Sequence, residues 1–247
     1  MNGYDISAPL RAALERMADG SAQRILNAMG QRQPDWFRIV NQADGDTAAV
    51  WLYDEIGWTG TTAGEFVDQL GQIDAAAIDV HINSIGGSVF DGIAIYNALR
   101  AHDATVTTRV DSAALSIASV IAQAGDRRIM LSGSQMMIHE AWGLTIGFAG
   151  DMRESAELLD RQTENIAGIY AERVGGSGKK SRFLSLMAGE HWMNADETVA
   201  EGLADEVVRP KAVKAQSSPG SERKEGTAEP EDRWADFVTS ASGIHTR

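Results

Sequence analysis

From Trp36 onward, short apolar runs alternate with stretches in which apolar residues recur at helical spacing. WFRIV and AAVWLYDEI read as strands, Thr62 to Leu70 as a helix, and Ile78 to Ile82, ending in Asn83, as a buried strand. The same pattern predicts a helix over Val89 to Leu99, a strand over Thr105 to Val110 and a helix over Leu115 to Gln123. A strand from Arg128 to Leu131 and the run MMIH at Met136 to His139 follow. Strands alternating with helices imply mostly parallel pairing through right-handed crossovers, an α/β fold.

Met152, Leu158, Leu159, Ile166, Ile169 and Tyr170 form one stripe between charged positions, which predicts a long helix from about Asp151 to Arg173. VGGSG stops it, a short helix is expected near Ser181 to Met187, and ADETVAEGLADEVV closes the ordered part. Before the α/β region, Leu10, Leu14, Met17, Ile25, Leu26 and Met29 give residues 1–34 the character of an amphipathic arm. After Val208 come Pro210, Pro219 and Pro230 with Ser, Gly, Lys and Glu, and hardly an apolar residue before Trp234. Residues 209–247 are therefore expected to be a disordered polar tail, which leaves 35–208 as the folded domain.

Charge narrows the classes. With 35 acidic against 22 basic residues the formal charge is -13, which repels phosphate backbones, so no nucleic-acid partner is expected. The chain has no cysteine, hence no disulfide, thiolate metal site or cysteine nucleophile. Asp5, Arg11, Glu15 and Arg16 interrupt any signal-peptide core, and the nearly apolar stretch Ala113 to Ala124 is too short to cross a bilayer of roughly 30 Å. A cytoplasmic protein without a membrane partner is the expectation. No H-E-x-x-H or comparable ligand spacing occurs, and no metal or other cofactor is expected.

Three places could carry chemistry. HINSIGGSVFDG sets Gly86 and Gly87 at a strand-to-helix turn, where backbone amides can point into open space. Neither the phosphate-loop nor the dinucleotide signature fits, so alone this is only a tight connection. VDSAALSIASV sets Ser116 at a strand-to-helix transition, where rigid structure can hold a nucleophilic hydroxyl and the next amide can face an oxyanion. Ser119 reads as an ordinary small packing residue. MMIHEAWG ends a strand in His139, one of five histidines, and a neutral imidazole is the usual base for a serine hydroxyl.

Taken in order, the Gly-Gly turn, the serine in an Ala-rich helix, M-I-H at a strand end, and Gly147, Ala149 and Asp151 opening a long helix resemble the Clp protease proteolytic subunit family. NSIGGSV is similar to that family's N-S-P-G-G-S-V, with Ile85 in place of its proline, and NADETVAEGLADEV to its closing motif. The resemblance implies a Clp protease and crotonase-type fold of stacked β-α-β units with a long protruding helix that packs on a neighbouring subunit of a homo-oligomeric ring. It implies a serine endopeptidase with Ser116 as nucleophile, His139 as base, and the Gly87 and Ile117 amides as oxyanion hole. Strand edges around Ser88, Val89 and Phe90 and around Ala141, Trp142 and Gly143 would pair with an extended polypeptide substrate. The wider pattern, from WFRIV through DMRESAELLD, resembles the Clp-like head maturation proteases of tailed phages and prophages, which trim scaffold and capsid precursors inside the prohead.

The third triad member departs from the family. Counting back from the closing motif sets the family's aspartate position on Leu186, which cannot orient an imidazole, and Glu190 is the nearest carboxylate that could. A Ser-His dyad helped by a backbone carbonyl is the other solution. Two rival functions stay open: an acyl-CoA hydratase or isomerase that holds a thioester oxyanion with paired amides alone, and an inactive structural homologue. No Walker motif is present, so any unfolding of substrate must come from another chain.

Overall fold

The computed structural model describes residues 37–41, 46–57 and 62–209, and the arm and nearly all of the polar tail lie outside the described residues. An antiparallel pair comes first, Phe37–Asn41 (β1) with Thr47–Tyr53 (β2). The expected alternation follows: Ala63–Leu70 (α1), Ala77–Ser84 (β3), Val89–Ala101 (α2), Thr105–Leu115 (β4), Ile117–Ala122 (α3) and Arg127–Leu131 (β5). Then come Gln135–Ile138 (β6), the 25-residue helix Ala149–Arg173 (α4), a 3-10 turn at Ser177–Lys179 and Lys180–Met187 (α5). His191–Asn194 (β7), Ala195–Ala200 (α6) and Glu206–Val208 (β8) close the described part. Among the described residues no helix is long and apolar enough to cross a membrane.

All these strands share one sheet in the order β1-β2-β3-β4-β5-β8, parallel from β2 onward, with β6 beside β4 and β7 antiparallel on β6. Along β3, Ile78, Val80 and Ile82 are buried while Asp79, His81 and Asn83 stay half-exposed, because successive side chains leave a strand on opposite faces. The buried face shares one core with Phe66 and Leu70 of α1, Ile95 and Leu99 of α2, all of α3 except Ser119, and Ile166, Ala167 and Tyr170 of α4. Polar groups occupy the other face. The Asp111 carboxylate accepts from Tyr53 Oη at 2.7 Å and Arg109 Nε at 2.9 Å and meets His81 Nδ1 at 2.8 Å, while Arg38 stacks over Trp51. Burial pushes the Asp111 carboxyl up, but the hydrogen bonds from Tyr53, His81 and Arg109 outweigh it and leave it below the usual carboxylate range. Burial and the Asp111 bond push the Tyr53 phenol up to about 12.

Two features of the strands position the site. β4 runs five residues beyond the expected end at Val110, to Leu115, so the serine helix starts at Ile117 rather than at Leu115. That extra length lets β4 fork: Thr107–Val110 pair with β5, whereas Ala113–Leu115 pair with β6. β7 was not anticipated, since in HWMN only Met193 faces the core.

Candidate active site

Parallel neighbours deliver their carboxyl ends to the same edge of a sheet, where open α/β folds place their sites. Leu115 at the end of β4 stands opposite Met137 of β6. One step on, the Ser116 N–H donates to the Met137 carbonyl at 2.9 Å. His139 follows β6 directly, and its Nε2 lies 2.7 Å from Ser116 Oγ. Fork and register thus bring the two expected residues into hydrogen-bond contact.

Ser116 has φ 54° and ψ -129°, left-handed backbone for an L-residue that costs about 1–3 kcal/mol and persists only where its surroundings impose it. The sharp strand-to-helix turn at Ser116 has the strand–turn–helix form in which nucleophile elbows are built. It also makes the Ile117 N–H the first amide of α3, with no helical acceptor.

Gly86 and Gly87 cross this elbow with φ of 101° and 144°. A Cβ on Gly86 would come within 2.7 Å of Ser116 Cβ, and one on Gly87 within 2.1 Å of the Ile56 carbonyl, so a side chain is excluded by contact as well as by backbone. Their turn is tied down on both sides. Ile56 N–H donates to Gly86 O at 2.7 Å, Ser88 N–H to Ile56 O at 2.9 Å, and Gly86 N–H to Ser84 Oγ at 3.1 Å. Among the described residues the Gly87 N–H has no acceptor.

The expected strand edge at Ser88, Val89 and Phe90 is corrected. Ser88 is the N-cap of α2, its Oγ accepting from Asp91 N–H at 3.4 Å, and Val89 and Phe90 form the first turn of that helix. Their backbones follow helical geometry because the capping hydroxyl ends the turn there, although the Phe90 ring remains exposed. The second stretch fits an extended role better: 141–146 carry no regular structure. Ala141 N–H is already taken by Thr163 Oγ1 at 3.0 Å, so free backbone begins at Trp142 and Gly143.

Leu186, the position reached by counting, sits in α5 against the core. Glu190 lies elsewhere. The β6–β7 register pairs Ile138 with His191, and one more step sets His139 opposite Glu190, a spacing at which Cβ atoms come about 5 Å apart. The exposed Glu190 carboxylate instead accepts from Trp192 Nε1 at 3.3 Å, and His139 Nδ1 has no partner among the described residues. Nor does any group of three or more His, Asp or Glu side chains there suit a metal ion.

The roles of four contributors were not read from the sequence. Ser119 Oγ bonds both the Ser116 carbonyl and Tyr170 Oη, the latter at 2.7 Å, and Gln123 Nε2 donates to Ser119 O at 3.0 Å. Thr163 and Tyr170 stand two turns apart on α4, the first bonded to the Ala141 N–H two residues after His139 and the second to Ser119 Oγ three residues after Ser116. A serine three residues into a helix, and a tyrosine inside an apolar stripe, are the signals that could have drawn notice.

Residues 31–211 match the Clp protease family model, a span that contains Ser116, His139 and Glu190. The chain belongs to the Clp protease family. Its relatives include proteins named "ATP-dependent Clp protease proteolytic subunit" from Bacteroides fragilis, 31% identical over 69% of this chain and 87% of that protein, and from Deinococcus radiodurans, 31% identical over 64% and 81%. Against the namesake from Chlorella vulgaris it is 36% identical over 52% of this chain and 64% of that protein, so the chain spans just under two thirds of that relative. For a Clp protease family member, the forked sheet with helices on its apolar face is the expected α/β frame.

Proposed function

We propose that this Clp protease family member is a serine endopeptidase acting through an acyl-enzyme. The contact of 2.7 Å between His139 Nε2 and Ser116 Oγ carries this reading, since it is the hydrogen bond along which a base takes the proton of an attacking hydroxyl. Ser116 Oγ attacks the peptide carbonyl while His139 Nε2 accepts its proton. The developing oxyanion faces the Gly87 and Ile117 amides, two donors without acceptors of their own among the described residues. His139 then returns the proton to the leaving amine, and a water activated by the same imidazole releases the acyl group. Glu190 supplies the third group when its side chain leaves Trp192 and turns toward Nδ1 of His139. Trp142, Gly143 and the Phe90 ring border the path of the substrate.

Amides alone would suit a thioester hydratase, but such a site has no use for a hydroxyl poised on an imidazole. The unpartnered Nδ1 of His139 supports the inactive reading instead. A fluorophosphonate probe separates all three: the peptidase labels at Ser116, as located by peptide mass spectrometry, and labelling is absent from Ser116→Ala. An unlabelled wild type would overturn the proposal.

The finer reading follows the sequence resemblance to head maturation proteases: the substrates are scaffold and capsid precursors of a phage or prophage particle, cleaved without nucleotide. Exposed Trp142, Leu144, Ile146 and Phe148 and the outer half of α4 would pack on further copies in a homo-oligomeric ring. Coexpression with a capsid precursor should yield a shortened product that Ser116→Ala does not make. Intact precursor in both would remove the assignment to head maturation while leaving the peptidase standing.

A further inference from the structure

The α3 helix is buried throughout, yet one of its six residues is a serine with two oxygen neighbours. Ser119 Oγ lies against the Ser116 carbonyl oxygen and 2.7 Å from Tyr170 Oη. Proton counting gives the pair a direction. A carbonyl oxygen can only accept, so the single Ser119 proton goes to Ser116 O, and the Tyr170 hydroxyl must donate to Ser119 Oγ. The Ser119 backbone N–H also donates to Ser116 O, at 3.0 Å. One carbonyl therefore accepts twice from the same residue.

That carbonyl belongs to the peptide unit whose other end is the Ile117 N–H. Because the unit is planar and trans, its C=O and N–H point in opposite directions, and fixing the oxygen fixes the amide. The residue that starts the unit is Ser116, whose backbone is left-handed and would relax if the unit could rotate. Tyr170 is 1% exposed and lies on the longest helix, packed on Phe183 at 5.5 Å between ring centroids, so the far end of the chain of bonds is anchored in the core.

We infer that Tyr170 and Ser119 are positioning residues for the oxyanion donor: the relay from the Tyr170 hydroxyl through the Ser119 hydroxyl to the Ser116 carbonyl aims the Ile117 N–H and holds the nucleophile in its strained conformation. This rests on the reading of Ser116 as nucleophile. Neither hydroxyl touches substrate, so both act through the Ser116–Ile117 peptide. An amide that engages an oxyanion stabilises the transition state more than the bound substrate, so loosening it lowers kcat and spares KM.

The test uses the full-length assembled protein, a fluorogenic peptide, and fluorophosphonate titration to count working sites. Per titrated site, Tyr170→Phe should lower kcat about three- to ten-fold and Ser119→Ala about ten- to fifty-fold, short of the 10²–10³ for losing a whole oxyanion donor. KM should stay within two-fold, and the pH midpoint should not move, since the imidazole is untouched. Elements of one relay act in series, so the double variant should be no slower than Ser119→Ala alone. A kcat per titrated site within two-fold of wild type in both single variants, whatever happens to Tm, would overturn the inference. Should Ser119→Ala fail to assemble, Tyr170→Phe decides by the same threshold, because it removes one oxygen and keeps the ring. If wild type does not label at Ser116, the nucleophile reading falls and the relay with it; if wild type labels and the variants turn over normally, only the relay falls.

Discussion

Ser116 leads into a helix whose six residues are all buried, whereas His139 leads into a segment in which Trp142, Leu144, Ile146 and Phe148 are exposed. The serine side is held from several directions: Gly86 against its Cβ, Met137 O on its N–H, Ser119 on its carbonyl, and Gln123 and Arg128 behind the helix. The histidine side has the strand before it, the Glu140 N–H on Met187 O at 3.0 Å, and nothing on Nδ1 among the described residues. With Ser116 as nucleophile and His139 as base, as proposed above, the difference follows from what each partner must do. A nucleophile presents its hydroxyl and the next amide at once, and the backbone that allows both is strained, so packing must impose it. A base needs only its ring turned, and a carboxylate arriving from an exposed position can do that.

Removing the hydroxyl should have the largest effect. Ser116→Ala is expected to fold and assemble as wild type and to reduce peptide hydrolysis to background, a loss on the order of 10⁴-fold or more. Circular dichroism, size-exclusion chromatography and peptide turnover check it; cleavage within a few-fold of wild type would refute the nucleophile and dissolve the comparison.

Glu190→Gln tests the looser side. If Glu190 swings to His139 during the reaction, losing its charge should cost two or more orders of magnitude in kcat with assembly intact. Turnover within about three-fold would make Glu190 a bystander, and a Ser-His dyad would replace the triad.

Gly86→Ala comes next on the serine side. The added Cβ meets the Ser116 Cβ at 2.7 Å and the Leu115 carbonyl at 2.8 Å, and φ of 101° disfavours any L-residue. Backbone must shift at the elbow, so activity should fall about ten- to hundred-fold while the far-ultraviolet spectrum is kept. An unchanged rate would show that the nucleophile tolerates displacement and that its tight packing is incidental.

How far the sequence discloses these two sides differs as well. Ser116 and His139 were legible because each sits at a strand end inside a compact local motif, and the parallel register then brings them together. The start of α3 was misplaced by two residues because Leu115, Ser116 and Ile117 continue one apolar run: the chain changes direction there without changing polarity. Ser88–Phe90 read as an edge because a strand-like triplet and a capped helix start look alike without the Asp91 N–H in view. The Ser119–Tyr170 bond joins positions 51 residues apart, and no local pattern can announce such a pairing. Glu190 surfaced by proximity to the closing motif, while its place opposite His139 depends on β7, a strand too short and too exposed to show alternation.

The smallest effect concerns the brace behind α3. Asp205 accepts from the Arg128 backbone N–H at 2.7 Å and from its guanidinium, Arg128 Nη1 donates to Gln123 Oε1 at 3.1 Å, and Gln123 Nε2 donates to Ser119 O at 3.0 Å. Burial pushes the Asp205 carboxyl up, but the bonds from Arg128 outweigh it and hold it below the usual carboxylate range. A depressed folded pKa contributes stability that is fully present above the unfolded value, about 3.9, and is lost as pH falls through the lower folded value. At neutral pH, Asp205→Asn should therefore cost roughly 1 kcal/mol, a low figure because the side chain is 40% exposed and screened by solvent. Lowering the pH below about 4 should shrink the Tm gap between wild type and variant, as wild type loses the same interaction by protonation. Asp111, depressed by its own partners, adds to the acid loss in both proteins and leaves that gap unchanged. A gap that stays constant from neutral pH to pH 3 would show that Asp205 stabilises by shape rather than charge, and that the brace on the serine side does not depend on an ion pair.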